Sequence, residues 1–228
     1  MLDARLRRAA HLLPLTTVPA LEEPGWAALL DAATVQETQL FRAPAQLAAL
    51  EAALPPLAKA ARAAGRPLRL LSAGCATGEE AYSLAAIGIG LPVPGVVLEV
   101  VGLDISRPAL QQAEAGQIGA HLGEPLALVP ERHRNMLSEN GRPRLHPALH
   151  SRLRFERINL LELPDTLGLF DAVLCRNVLI YMAEDARRLI VDGLRRHLRP
   201  AGLLGLGATD AAPSPSFRAL GHALFLHD

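Results

Sequence analysis

The stretch 71-LSAGCATGEEAYSLA-85 decides the fold. It continues the apolar run that begins at Leu68 and reads as a strand over 68–73. It then crosses a loop of small residues into a helical pattern over 78–89. Strand, glycine turn and helix in immediate succession are how a ligand-binding α/β unit opens. Gly74 and Gly78 let the backbone turn tightly and let a ligand come close. The same spacing also serves an ordinary strand–helix turn. Two carboxylates, Glu79 and Glu80, then stand where a nucleotide phosphate would sit. In a first helical turn they complement the helix dipole. They also repel a pyrophosphate, which needs that helix N-terminus, and the P-loop lysine is absent. A phosphate-free nucleoside with a cationic end fits better, and S-adenosylmethionine is such a ligand.

Outward from this turn, strands and helices alternate. Strands are expected over 96–104, 153–160, 170–176 and 203–208. Helices are expected over 107–116, with Ser106 as N-cap, and over 184–198, stopped by Pro200 and Gly202. A terminal hairpin element over 216–228 closes the sheet. Upstream, 45–64 is helical with a break or kink at Pro55-Pro56. WAALLDAA after Pro24 is a short helix, and MLDARLRRAAHLL places Leu2, Leu6, Ala9 and Leu13 on one stripe. The alternation implies a mostly parallel α/β sheet with helices on both faces. Residues 117–152 break the rhythm. Asn140-Gly141 suits a tight hairpin turn, and the segment reads as a small β insertion. Residues 1–44 read as a short helical N-terminal region and 45–228 as the α/β domain.

Composition narrows the function. The 228 residues carry a formal net charge of zero and are 50% hydrophobic, enough for one filled core without a global field for nucleic acid or anionic membrane. Aromatic residues are only 4%, few for base stacking, and no N/D-P-P-Y/F motif for base amino groups occurs. Cys75 and Cys175 are too few for a disulfide framework or a zinc site, and both read as small packing residues. His121, His133, His146 and His150 lack metal-ligand spacing. No leader or membrane-length apolar run is evident, so a cytoplasmic protein without membrane insertion is expected.

Further candidates fall where ligands of a parallel sheet bind, at the strands' carboxyl ends. Asp104 ends the second strand, where a carboxylate accepts ribose hydroxyls; a helix-cap role is the alternative. Asn159 follows RFERI. Arg176 and Asn177 follow FDAVLC, with Tyr181 four residues on, either at a site or as a packed aromatic.

LSAGCATGEEAYSLA, LDISRPALQQAEAGQIG, RFERINLLE and FDAVLCRNVLIYM together resemble the successive motifs of the CheR-type chemotaxis receptor glutamate methyltransferases. Upstream, 31-DAATVQETQLFRAP-44 is similar to the family's T-x-N-E-T-x-F-F-R segment. The resemblance implies a Rossmann-like S-adenosylmethionine-dependent methyltransferase sheet that forms glutamyl methyl esters and S-adenosylhomocysteine without a metal. The partner it implies is a chemoreceptor cytoplasmic domain or a related signalling protein. Arg42 would sit at the transfer site, with Gln36 and Thr38 in the same donor-contacting segment. Gly74 belongs to the glycine loop, Glu79 would hold the methionine ammonium, and Asp104 would bind the ribose. Asn159 and Leu160 would flank the adenine, while Asn177 and Tyr181 would line the transfer pocket. The insertion would be a receptor-docking appendage. Gln36 replaces the family's Asn, Leu40 replaces the first Phe, and Gly207-Ala208-Thr209-Asp210 stands where G-H-S-E is usual. The N-terminal helical region is shortened. A methyltransferase with another protein or small-molecule acceptor, and a non-catalytic donor-binding signalling module, are the alternatives.

Overall fold

The computed structural model describes residues 23–119, 123–210, 213 and 216–228. The helical stripe expected over Leu2–Leu13 lies outside the described residues.

Helix α1 (Pro24–Ala33) leads into a non-helical segment, a corner at 40–43, and helix α2 (Pro44–Ala63). The α/β unit follows as β1 (Leu68–Ala73), α3 (Glu79–Gly90), β2 (Leu98–Asp104) and α4 (Arg107–Glu114). Ser106 caps α4 as expected, its hydroxyl accepting from the Ala109 amide at 3.4 Å. After the inserted segment come β5 (Leu153–Arg157), β6 (Phe170–Cys175), α7 (Glu184–Arg196), β7 (Leu198–Leu206), β8 (Phe217–Gly221) and β9 (Leu224–His227).

The seven strands lie in the order β5-β2-β1-β6-β7-β9-β8. The pairs from β5 to β7 are parallel, and β9 runs antiparallel to β7 and β8. The chain moves outward from β1 through β2 to β5, then returns to lay β6 on the other side of β1. The crevice at this reversal is where an open parallel sheet binds ligands.

Residues of the central strands β1, β2 and β6 are mostly apolar on both sides because both sheet faces are covered there. Leu70, Val100, Ala172, Leu174 and Leu203 pack with α2 and α3. Their neighbours Leu71, Val101, Val173 and Leu204 point the other way, toward Ile190 and Leu194 of α7. At an order of 1.5–3 kcal/mol per buried aliphatic side chain, these two layers supply the main drive to fold.

Three expectations change. The helix over 45–64 is not broken: α2 runs through Pro55 and Pro56, while Leu54, Ala58 and Ala61 of the same helix stay fully buried, so packing overrides the two missing amide donors. Pro200 and Gly202 do not stop a helix. The helix ends at Arg196, and both residues lie within β7. The segment 117–152 is more helical than β. It contains α5 (Glu131–Leu137), a hairpin of two-residue strands, β3 (Ser138–Glu139) and β4 (Arg142–Pro143), and α6 (Pro147–His150). The Asn140-Gly141 turn is present, with both φ angles positive at 52° and 75°. Leu126, Val129, Leu137 and Leu149 tie this segment into the α2–α3 core. Among the described residues, no helix is long and apolar enough to cross a membrane.

Candidate functional site

A cleft of about 310 Å³ opens at the carboxyl ends of β1, β2, β5 and β6 and is covered by α1 and the segment after it. Gly74 floors it. Its φ is +81°, and a Cβ there would lie 2.2 Å from Val178 Cγ2, so the loop can be this close only with glycine. Asp104 follows on the β2 side. Its two oxygens accept from the amides of Ala76 (2.8 Å) and Ser106 (2.9 Å). Burial pushes its carboxyl above the ordinary value, and the Ser106, Ala76 and Ile105 amides pull it back. Asn159 and Leu160 sit on the turn after β5, where Asn159 Oδ1 accepts from the Leu161 amide at 3.1 Å. Ile105, Ile158, Leu160 and Leu161 give this side an apolar wall.

Two acids divide the α3 N-terminus. Glu79 is fully buried and does not line the cleft. Its carboxylate accepts from Thr77 Oγ1 at 2.7 Å and from the Gly119 amide at 3.1 Å, which ties down the chain beyond α4. Glu80 is the carboxylate that lines the cleft. It accepts from Ser72 Oγ and from Arg176 Nε, each at 2.6 Å. Arg176 is buried too, and its Nη1 donates to the Arg42 carbonyl (2.6 Å) and to Gln46 Oε1 (3.2 Å). Gln46 Nε2 in turn donates to the carbonyls of Leu206 and Ala223. Arg176 thus joins the β1 turn, the β6 turn and the corner at Arg42.

That corner is tight. Phe41 and Ala43, on either side of Arg42, have φ of 53° and 57°, a left-handed conformation costing non-glycine residues about 1–2 kcal/mol each. The Phe41 amide donates to Ser83 Oγ at 2.9 Å, and Arg42 Nη1 donates to the Glu37 carbonyl at 2.9 Å. Asn177 is also left-handed, at φ 58°. Tyr181, on a 3₁₀ turn (Leu179–Tyr181), is half exposed at the rim, not packed in the core.

The cover is strapped down. Asp31 of α1 takes both the amide and the guanidinium of Arg107, with the shortest contact at 2.6 Å. Gln36 Nε2 donates to Ser106 Oγ at 2.6 Å, holding the strap to α4 without lining the cleft.

Arg42, Tyr181, Thr38, Gly74, Asp104, Asn159, Leu160 and Asn177 therefore converge on one cleft, and Gln36 and Glu79 support it from outside. Glu80, Arg176, Gln46 and the Asp31–Arg107 pair were not among the residues assigned from sequence. Glu80 and Arg176 did carry a signal, the first as one of the paired acids of the glycine turn and the second by its place at the end of β6. Both cysteines are buried, and burial raises both thiols above the ordinary range. Among the described residues no group of three or more His, Cys, Asp or Glu side chains has the arrangement of a metal site.

A family profile described as CheR methyltransferase, SAM binding domain, matches residues 36–220. The chain is 37% identical over 193 residues to chemotaxis protein methyltransferase 1 of Pseudomonas aeruginosa, covering 80% of this chain and 69% of that one. It is 38% identical over 190 residues to the probable biofilm formation methyltransferase WspC of Pseudomonas putida, covering 81% of this chain and 44% of that one. A solved methyltransferase domain, bacterial CtHen1-C, is similar over 71% of this chain and 63% of that one, at 15% identity and a TM-score of 0.43.

Proposed function

Because the chain belongs to the CheR methyltransferase family, we propose that it transfers a methyl group from S-adenosylmethionine to glutamate side chains of a chemoreceptor-type signalling protein, giving glutamyl methyl esters. The observation that carries this reading is one cleft holding Asp104, Glu80, an apolar wall and Arg42 together.

The residues suit the donor. Asp104, which lines the cleft, is the acceptor for ribose hydroxyls. Ile105, Ile158 and Leu160 give a flat base an apolar side, with Asn159 beside it as a polar reader. Glu80, the acid of the pair that lines the cleft, supplies negative charge for an ammonium. When bound, the donor supplies a methyl group on a cationic sulfur, with a neutral thioether as leaving group. A glutamate acceptor, with ordinary pKa about 4.3, is already ionised at neutral pH, so the protein need not remove a proton. What remains is orientation and exclusion of bulk water. Arg42 orients the incoming carboxylate by charge-assisted hydrogen bonding. Its existing bond to the Glu37 carbonyl tempers the ion pair, so the acceptor oxygen keeps its nucleophilicity. Tyr181, at the rim, steers the acceptor side chain with its hydroxyl. The same reading places the reaction in the cytoplasm and assigns the segment 117–152 to acceptor contacts.

The test is incubation with labelled donor and receptor cytoplasmic domains, followed by mild base. Base-labile label on receptor glutamates is the expected result. Base-stable label indicates another acceptor atom, and absence of both label and donor binding rules the reading out.

A further inference from the structure

We propose that His133, on helix α5 of the inserted segment, is a positioning residue for Arg42, so that the insertion and the transfer site move together. This rests on the reading of Arg42 as a transfer-site residue.

The corner carrying Arg42 has left-handed, non-glycine residues on both sides, Phe41 and Ala43. Such a conformation lasts only where the surroundings over-determine it. Three of the contacts that hold it come from elements distant in sequence. Ser83 Oγ accepts the Phe41 amide proton at 2.9 Å, and Arg176 Nη1 donates to the Arg42 carbonyl at 2.6 Å. Both of those come from the α/β unit itself. The third is the Phe41 ring, buried and stacked on the His133 imidazole, with ring centroids 5.2 Å apart and planes inclined by 20°.

His133 is well fixed for this role. It is buried, and its Nε2 lies 3.2 Å from Glu51 Oε1 on α2, while Arg132 takes both Glu51 oxygens. Burial holds the imidazole below its ordinary pKa against the pull of Glu51, which favours the neutral ring that stacks. A Cβ on Gly90 of α3 would come within 3.1 Å of His133 Cε1, so the ring also packs close against α3. A shift of α5, such as an acceptor pulling on the insertion would cause, reaches Arg42 through one ring pair.

The experiment compares wild type with His133→Ala and His133→Phe, reading kcat, donor affinity, thermal midpoint and amide hydrogen exchange at Phe41 and Arg42. His133→Ala is expected to lower kcat about tenfold with donor affinity nearly unchanged, and to speed exchange at those two amides. His133→Phe, which keeps the stack, restores kcat and protection. An alanine variant with wild-type kcat and protection overturns the proposal. So does a fall in kcat that only follows loss of folded protein. A phenylalanine variant that fails to restore the rate assigns the effect to the Glu51 bond and overturns the stacking role. If wild-type protein methylates no acceptor, the glutamate-transfer reading fails, and exchange at Phe41 and Arg42 still decides the coupling.

Discussion

Glu79 and Glu80 are neighbours in the chain, yet about 100° of helix turn separates their side chains. One ties down the segment after α4 and the other faces the cleft. Their variants should therefore separate in donor affinity. Glu80→Gln is expected to weaken S-adenosylhomocysteine binding by roughly ten- to a hundredfold in titration calorimetry, the scale of one hydrogen bond to a charged group at about 1.5–3 kcal/mol. Glu79→Gln is expected to leave donor affinity nearly intact and to lower stability by about 1–3 kcal/mol in denaturant unfolding, because buried partners are left poorly satisfied. Sequence could show that an acid belongs at this turn, since charge and dipole arguments need only the local spacing. It could not show which acid, since that depends on the phase at which α3 leaves its glycine N-cap. Gln36 was hidden for a similar reason: the partner of its amide, Ser106, is 70 residues away and had an evident local role as an N-cap.

Elements were legible where their period was long and clean. The central strands β1, β2 and β6 are mostly apolar on both faces, and α7 alternates charge and aliphatic residues at helical spacing, so both declared themselves. The insertion did not. Its Asn-Gly turn is a strong hairpin signal, but the strands it joins are two residues each, and the burial of the segment is done by Val129, His133 and Leu137 at helical spacing. The strap was hidden because an Asp–Arg pair distant in sequence carries no local pattern. Its effect on the cleft is nonetheless testable. A partly exposed ion pair contributes only about 0.2–1 kcal/mol to stability, so Asp31→Ala should shift the thermal midpoint by less than about 4 °C. Because α1 and the residues after it cover the cleft, the same change is expected to speed donor release several-fold in stopped-flow displacement.

At the scale of the whole molecule, the sheet order sets the site before any side chain does. Reversal between β1 and β6 leaves a crevice that the turns at Gly74, Asp104 and Arg176 must line, while two aliphatic layers hold the sheet rigid behind it. Donor occupancy should therefore be felt globally. S-adenosylhomocysteine at a hundred times its Kd adds about 2.7 kcal/mol, which for a chain of this size raises the thermal midpoint by roughly 5–10 °C in scanning fluorimetry. An unchanged midpoint at that concentration would contradict binding to the folded state. The placement of the two cysteines has a separate, practical consequence. Cys75 and Cys175 are both buried, so thiol-reactive dyes should leave the native protein unmarked, and the pace at which they react should clock its opening. The surface is thereby left free for a single engineered probe: a cysteine in place of Leu189, which is 60% exposed on α7, would carry the only reactive label and report how closely an acceptor approaches.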